Sequence, residues 1–344
     1  MEYKKILFIG LGGAGQRHLR IFKELLPEDT EFIGYRRTNK TPLLNKDFSV
    51  NSKSTLKEQY NIILYNSFSE ALKQDPDLIV ISNPTSLHYD AAKAAAERGT
   101  AIFIEKPFSH NLEGFEHIED LVLKNNLNFF ISFQRRFHPY LKKVKEIVAN
   151  GTIGKVINSV FNVCTFVPQW HPYEDFHDLY ACKHELGGGV LLTEIHELDL
   201  CYWYFVLPEY VYCTGGNYSN IKMDVEDTAH VSLKYKDFSV QVNLCFMQNY
   251  NRRCLFIAGT DGYIEWNQDG NKLLICSYTS GEKKEFTNPE FSNDDMFFPQ
   301  ATYFLYQFQN IESKKYLEIG KASLAIVEAA KESMTKGTLT KLGI

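Results

Sequence analysis

Ile6-Leu7-Phe8-Ile9-Gly10-Leu11-Gly12-Gly13-Ala14-Gly15 is the stretch that decides the fold of this 344-residue chain. Four apolar residues in a row read as a short parallel strand covered on both faces. A GxGxxG turn follows, and then Leu19, Ile21, Phe22, Leu25 and Leu26 supply a helical stripe that stops at Pro27. Glycines in that setting let the backbone turn tightly and approach a pyrophosphate. The start of the helix adds N–H groups and partial positive charge. Gly10, Gly12, Gly13, Ala14 and Gly15 are therefore candidate residues for holding a dinucleotide.

Outward from this turn, strands are predicted at Glu31–Tyr35, Ile62–Leu64, Asp77–Ser82, Ala101–Glu105 and Asn128–Ser132, with an Ala-rich helix from Tyr89 to Arg98 that ends at Gly99. Six strands alternating with helices make a doubly wound parallel sheet, whose ligands sit at the carboxyl ends of the strands. The polar stretch between Arg37 and Asn61 reads as a surface excursion carrying a short helix. After about residue 150 the texture changes. A helix is predicted over Val190–Phe205. Period-two runs follow at Val211–Tyr218, Ala229–Tyr235, Phe238–Phe246, Cys254–Ala258 and Tyr263–Trp266, and helices at about 299–312 and 321–335 close the chain. The pattern predicts an α/β protein with a first domain over 1–125. An α+β domain over 126–344 carries a large, mostly antiparallel open sheet, and its last helix packs back near the first domain.

Composition narrows the function. Hydrophobic residues at 44% and charged residues at 23% exclude a largely disordered chain. Lys and Arg number 37 against 42 Asp and Glu, a formal charge of −5, so no basic field recruits nucleic acid or an anionic membrane. No apolar run approaches the ~20 residues that span a bilayer. Met1-Glu2-Tyr3-Lys4-Lys5 leads straight into the first strand, without the core of a signal peptide. The seven cysteines are odd in number, scattered and free of CxxC pairs, which points to a reducing cytoplasm.

Ribose selectivity is read near the end of the second strand. The run there is Tyr35-Arg36-Arg37-Thr38, with no acid to accept from a 2′-hydroxyl and two guanidinium groups suited to a 2′-phosphate. NADP(H) is therefore expected in preference to NAD(H). Ser82-Asn83-Pro84 ends the fourth strand and Glu105-Lys106-Pro107 the fifth. With the Gly-rich turn, this combination resembles the glucose–fructose oxidoreductase, inositol dehydrogenase and rhizopine catabolism (Gfo/Idh/MocA) family. The resemblance continues through Gln134-Arg135-Arg136-Phe137-His138-Pro139, Gly187-Gly188-Gly189-Val190-Leu191-Leu192, His196-Glu197-Leu198-Asp199 and the Gly259–Trp266 hairpin.

The resemblance implies a Rossmann domain followed by a substrate and oligomerisation domain, in a homodimer or homotetramer acting on sugars, cyclitols or sugar derivatives. It implies cofactor contacts from Ser82, Asn83, Pro84, His88, Glu105, Lys106 and Gln134, and a catalytic pair of Lys106 and His196. The chemistry suits both residues, because hydride transfer from a carbinol leaves a hydroxyl proton for a nearby base. Many family members carry an Asp one turn before this histidine. Here Thr193 stands three residues before His196, and regular helix geometry turns Glu194 and Glu197 to other faces.

The loop 167–185 is rich in aromatic and hydrogen-bonding groups, as a sugar site requires. Trp170, His171, Tyr180, Lys183 and Thr193 are the candidate substrate residues. The spacing of His171, His177 and His184 does not favour a zinc site. Arg135 and Arg136 suit either a substrate phosphate or acids at the domain junction. Two alternatives to a dehydrogenase are a related enzyme that recycles a tightly held cofactor during elimination or glycoside cleavage, and a non-catalytic nucleotide-binding regulator.

Overall fold

The computed structural model describes residues 3–38 and 41–343, so Asn39 and Lys40 of the excursion lie outside the described residues. The first half forms six parallel strands: β1 (Lys5–Ile9), β2 (Glu31–Tyr35), β3 (Ile63–Tyr65), β4 (Leu78–Ile81), β5 (Ala101–Glu105) and β6 (Phe129–Ser132). Their order is β3-β2-β1-β4-β5-β6. The chain reverses its direction of travel across the sheet between β1 and β4, and the crevice at such a switch point is where dinucleotides bind. Helix α1 (Gly13–Leu25) opens directly from the turn after β1 and buries His18, Leu19, Ile21 and Phe22 against the sheet. The sheet takes in β6, so its domain reaches past the boundary expected after residue 125.

The excursion carries the expected short helix, α2 (Leu56–Tyr60), whose start is fixed by a reciprocal Thr55–Glu58 capping box. Helices α3 (Phe68–Leu72), α4 (His88–Glu97) and α5 (Phe115–Lys124) complete the first layer pair, and α6 (Pro139–Ala149) leads into the second half.

There, nine strands form one sheet. Strand β7 (Val156–Phe166) was not foreseen, and it is the spine of that sheet. Strands β8 (Tyr210–Gly216), β9 (Thr228–Lys234), β10 (Ser239–Cys245), β11 (Met247–Gly259) and β12 (Gly262–Asn267) match the period-two runs. Strands β13 (Lys272–Ser277), β14 (Lys283–Thr287) and β15 (Thr340–Lys341) are added at the edges. The order is β14-β13-β12-β11-β7-β10-β9-β8-β15. All neighbours are antiparallel except β7 and β10, which run parallel from Ser239 opposite Asn158 to Cys245 opposite Cys164.

The expected long helix is two helices, α7 (Val190–Thr193) and α8 (His196–Phe205), interrupted at Glu194–Ile195. The closing pair also shifts. Helix α9 covers Asp294–Tyr306 with Pro299 inside its first turns, and α10 covers Ser313–Lys336. Helix α10 packs across both lobes, touching β6, α5, α8 and β8. Its first residue, Ser313, accepts from the Phe129 N–H at 2.9 Å and donates to the Leu127 carbonyl at 2.7 Å, which ties down the edge of the parallel sheet. Among the described residues all seven cysteines are free, and no helix is long and apolar enough to cross a membrane.

A buried ion pair fastens the lobes. The Arg136 guanidinium donates two bonds to Asp199, at 2.9 and 2.8 Å, and Ser323 of α10 donates a third at 3.1 Å. Asp199 is therefore committed to Arg136 and does not satisfy His196. Removing one partner of a buried pair leaves the other charge without compensation, which costs about 3–5 kcal/mol. Asp199→Ala should lower unfolding stability by that order in urea titrations, whereas an unchanged midpoint would show that the pair carries no such load.

Candidate active site

The turn after β1 is built for close backbone approach. Gly10 adopts a positive φ of 85°, and a Cβ there would stand 2.6 Å from the Asn83 nitrogen. Ser82 Oγ donates to the Gly10 carbonyl at 2.8 Å, so the expected Ser82-Asn83-Pro84 run packs under the turn. On the outer side, a Cβ at Gly12 would meet nothing within 4 Å, and Asn83 Oδ1 is buried without a hydrogen bond. An open glycine backbone, a helix start and an orphan acceptor suit a dinucleotide, and residues of the turn with Asn83 would hold it.

Other expected cofactor residues are used differently. Glu105 is buried and faces inward, where His18 Nε2 lies 2.6 Å away and Ser132 Oγ donates at 3.3 Å. Burial alone would raise its pKa, but His18 and then Lys106 hold the carboxyl below its ordinary range. Its role is to fix α1 and β6 to the end of β5. His88 is likewise interior. Its two ring nitrogens lie 2.8 Å from the carbonyls of Pro107 and Asn83, and so join the ends of β4 and β5. Arg36 is half-buried and donates to the Thr41 carbonyl at 2.5 Å, while Arg37 is exposed.

Lys106 emerges from the carboxyl end of β5 toward the second lobe. Its Nζ donates to the carbonyl of Thr193 at 2.7 Å, three residues before His196. That carbonyl is available because the helix breaks: the Glu197 N–H turns to Glu194 instead, at 3.4 Å. The His196 ring is buried, with Phe133 edge-on at 6.1 Å and Gln134 Nε2 at 3.2 Å from its Nε2. Gln134, expected at the cofactor, thus orients the imidazole. Its terminal amide can offer this nitrogen either a donor or an acceptor, so it serves both ring tautomers. His196 Nδ1 is buried without a partner. Burial, then the charges of Lys106, Arg135 and Arg253, push the imidazole pKa well below its ordinary value. Lys106 is also lowered, chiefly by burial, although Glu105 and Glu194 oppose the shift. A neutral imidazole and the Lys106 amine, whose charge burial disfavours, are therefore brought within electrostatic range of each other from the two lobes.

Comparison with known proteins assigns both halves of the chain to one family. Residues 4–133 match the family model described as an oxidoreductase family with an NAD-binding Rossmann fold, and residues 141–265 match the GFO/IDH/MocA C-terminal domain. The chain belongs to the Gfo/Idh/MocA family.

Among its relatives, the uncharacterized oxidoreductase YrbE of Bacillus subtilis is 36% identical over 178 residues, which cover 50% of this chain and 49% of YrbE. The chain thus spans about half the length of that relative. The myo-inositol 2-dehydrogenase of Thermotoga maritima is 26% identical over 249 residues, covering 69% of this chain and 67% of that enzyme. The crystal structure of the WlbA dehydrogenase from Bordetella pertussis, in complex with NADH and UDP-GlcNAcA, is similar in fold. Its TM-score is 0.77 at 18% identity, over 99% of both chains.

Against the family pattern, Thr193 supplies a carbonyl where many members carry an acid. Glu194 and Glu197 were expected on other faces of a continuous helix. The break invalidates that geometry, and both carboxylates are buried within range of the Lys106 charge. Each is engaged by Arg253 from β11, whose Nη2 donates to Glu194 and whose Nε lies 3.3 Å from Glu197. Arg253 was missed in the sequence, because nothing in a period-two strand marks an inward position that carries charge.

The expected substrate loop divides. Tyr180 is brought against Thr193, and its phenol pKa is raised by burial and then by Glu105 and Glu194. Trp170 packs edge-on to Phe246 at 5.3 Å as a wall of its own loop. Lys183 is tied to Asp178 at 3.0 Å, and His171 to Glu174 at 2.7 Å. Arg135 lies beside Glu197 and Arg253 and reaches Gln268 at 3.4 Å.

The buried histidines set an acid limit on stability. His138 is neutral in the fold, because its Nδ1 accepts from the Tyr140 and Leu141 N–H groups. Its pKa is pulled down to about 3 by burial and next by Arg135. For His138 and His196 the unfolded chain binds a proton near pH ~6.5 that the fold refuses. The stability each gives is present above that pH and is lost as pH falls, at about 1.4 kcal/mol per pH unit per proton. Urea titrations between about pH 7.5 and 5.5 should show this loss, and His196→Asn should flatten it by about one proton. Equal slopes would mean that His196 protonates in the fold.

Proposed function

We propose that the chain is an NAD(P)(H)-dependent oxidoreductase that moves a hydride between nicotinamide and a ring carbon of a sugar, cyclitol or nucleotide-linked sugar. The observation that carries this reading is the convergence of Lys106 and His196, one from each lobe, at the carboxyl edge of the dinucleotide sheet. When bound, the nicotinamide supplies the hydride acceptor or donor. His196, neutral near pH 7, takes the hydroxyl proton of the carbinol in the oxidative direction and returns it in the reductive one. Lys106, positioned by the Thr193 carbonyl, donates to the same oxygen and stabilises the charge that develops there. Glu194 and Glu197, both engaged by Arg253, offset the lysine charge. Tyr180 and Thr193 lie against each other beside this pair, and their hydroxyls suit a polyol. The names of relatives that act on myo-inositol, and of a fold neighbour solved with a UDP-sugar, support this substrate class.

In the same reading NADP(H) is preferred over NAD(H), because Arg36 and Arg37 stand where an acid would otherwise bind the ribose. The chain works as a homodimer or homotetramer, with the outer sheet face, which exposes Tyr212 and Phe256, as the contact surface. Lys106→Ala should reduce turnover on a panel of sugars, inositols and UDP-sugars by about 10²–10⁴-fold, judged by nicotinamide absorbance, with cofactor affinity changed only a few-fold. Full turnover by that variant would remove the assignment. Fluorescence titration should give tighter binding of NADPH than of NADH, and the reverse order would reject the arginine argument.

A further inference from the structure

The excursion after β2 does more than cover the surface. Gln16 of α1 is buried, and its side chain donates to the carbonyls of Leu11 and Pro42, at 3.0 and 2.8 Å, while accepting from the Leu44 N–H at 2.8 Å. The bond from Arg36 to Thr41 adds a second anchor. Beyond these anchors, Leu44 pairs with Val50, and Asn45, Asp47 and Ser49 bond one another across the tip. Phe48 sits at the corner with a φ of 65°, a conformation that a bulky residue adopts only when its surroundings enforce it.

The ring so presented lies over the start of α1. A Cβ on Gly13 would come within 2.6 Å of Phe48 Cε1 and 3.4 Å of the Tyr173 hydroxyl. Phe48 is also held from below, where the Arg17 guanidinium lies 4.7 Å from its ring centre. From the second lobe, His171 approaches Phe48 with ring centres 6.2 Å apart and stacks on Tyr173 at 5.1 Å. The Tyr173 hydroxyl is buried beside the Glu174 carboxylate and makes no well-formed hydrogen bond. Burial and that carboxylate keep it protonated, hence a donor. Gly12, one residue earlier, stays open. The two aromatic groups thus flank the phosphate-facing backbone without filling it.

We propose that Phe48 and Tyr173, one from each lobe, close over the Gly-rich turn as a clasp that contacts the pyrophosphate of the bound dinucleotide and slows its release. The Tyr173 O–H donates to a phosphate oxygen, and the Phe48 ring shields that contact from water. The inference rests on the cofactor reading above.

The test is stopped-flow release of prebound NADPH, and separately of NADH, from the full chain. Phe48→Ala should release nucleotide at least about ten-fold faster. Tyr173→Phe, which removes one oxygen and keeps the ring, should release it about three- to ten-fold faster, the worth of one hydrogen bond. The Tyr173→Phe measurement decides the matter alone if Phe48→Ala fails to fold. A wild type that binds nucleotide while Tyr173→Phe releases it at an unchanged rate overturns the clasp and leaves the cofactor reading intact. A wild type that binds neither nucleotide overturns both.

Discussion

The site depends on one bond, the 2.7 Å contact between the Lys106 ammonium and the Thr193 carbonyl. A continuous helix from Val190 to Phe205 would spend that carbonyl on the Glu197 N–H, and the lysine would face a spent acceptor. The interruption at Glu194–Ile195 releases the carbonyl inside the protein, where an unpaired acceptor is costly. Lys106 arrives from the other lobe with a charge that burial disfavours. Each group relieves the other, and the bond sets the depth at which β5 meets the second lobe. His196 opens the next helix only three residues on, so its ring and the ammonium are brought together by the same break.

Charge balance explains why such a site can be buried. Lys106, Arg135 and Arg253 are opposed by Glu105, Glu194 and Glu197, and all lie at or near the interior. Neutral His196 adds no charge to the set. An Asp in place of Thr193 would bring a carboxylate close to the lysine. Here the negative charge has moved one residue along, to Glu194, and β11 holds it there through Arg253. The ammonium therefore meets a neutral carbonyl with acids behind it. It is less firmly stabilised as a cation than a direct ion pair would make it, in line with its lowered pKa.

The parallel sheet was legible because its strands are short, wholly apolar and bounded by turn residues, and because Gly10 to Gly15 fix the first crossover. The antiparallel sheet was legible in part. Strands β8 to β12 show their alternation, whereas β7 escaped because Ser159 on its buried face and Val160 on its outer face break the pattern, and its parallel pairing with β10 leaves no local sign. Lys106 and His196 were named as candidates through motifs. The helix break was not found, because Leu-Leu-Thr-Glu-Ile-His-Glu-Leu satisfies a helical stripe throughout, and interruption is a tertiary effect. Glu105 and His88 were read as cofactor contacts from the family resemblance. Their side chains turn inward, where each ties neighbouring strand ends together.

The excursion between β2 and α2 shows how one weakly patterned segment can join two properties of a binding site. Arg36 stands where ribose selectivity is read, yet one of its nitrogens is bonded to Thr41, the first described residue of the segment that carries Phe48. Gln16 fastens the same segment to the turn, so the backbone that approaches the pyrophosphate and the backbone that presents the clasp share one set of bonds. On the proposed reading, selectivity at the ribose and retention at the phosphates are coupled through Arg36. Replacing that arginine to change the preferred cofactor disturbs the anchor of Phe48 as well as the 2′-position. The second lobe enters this coupling through the contacts of His171 and Tyr173. On the proposed reading, the contacts between the lobes bear on how long the nucleotide stays, and the Arg36 anchor ties them to which nucleotide is chosen.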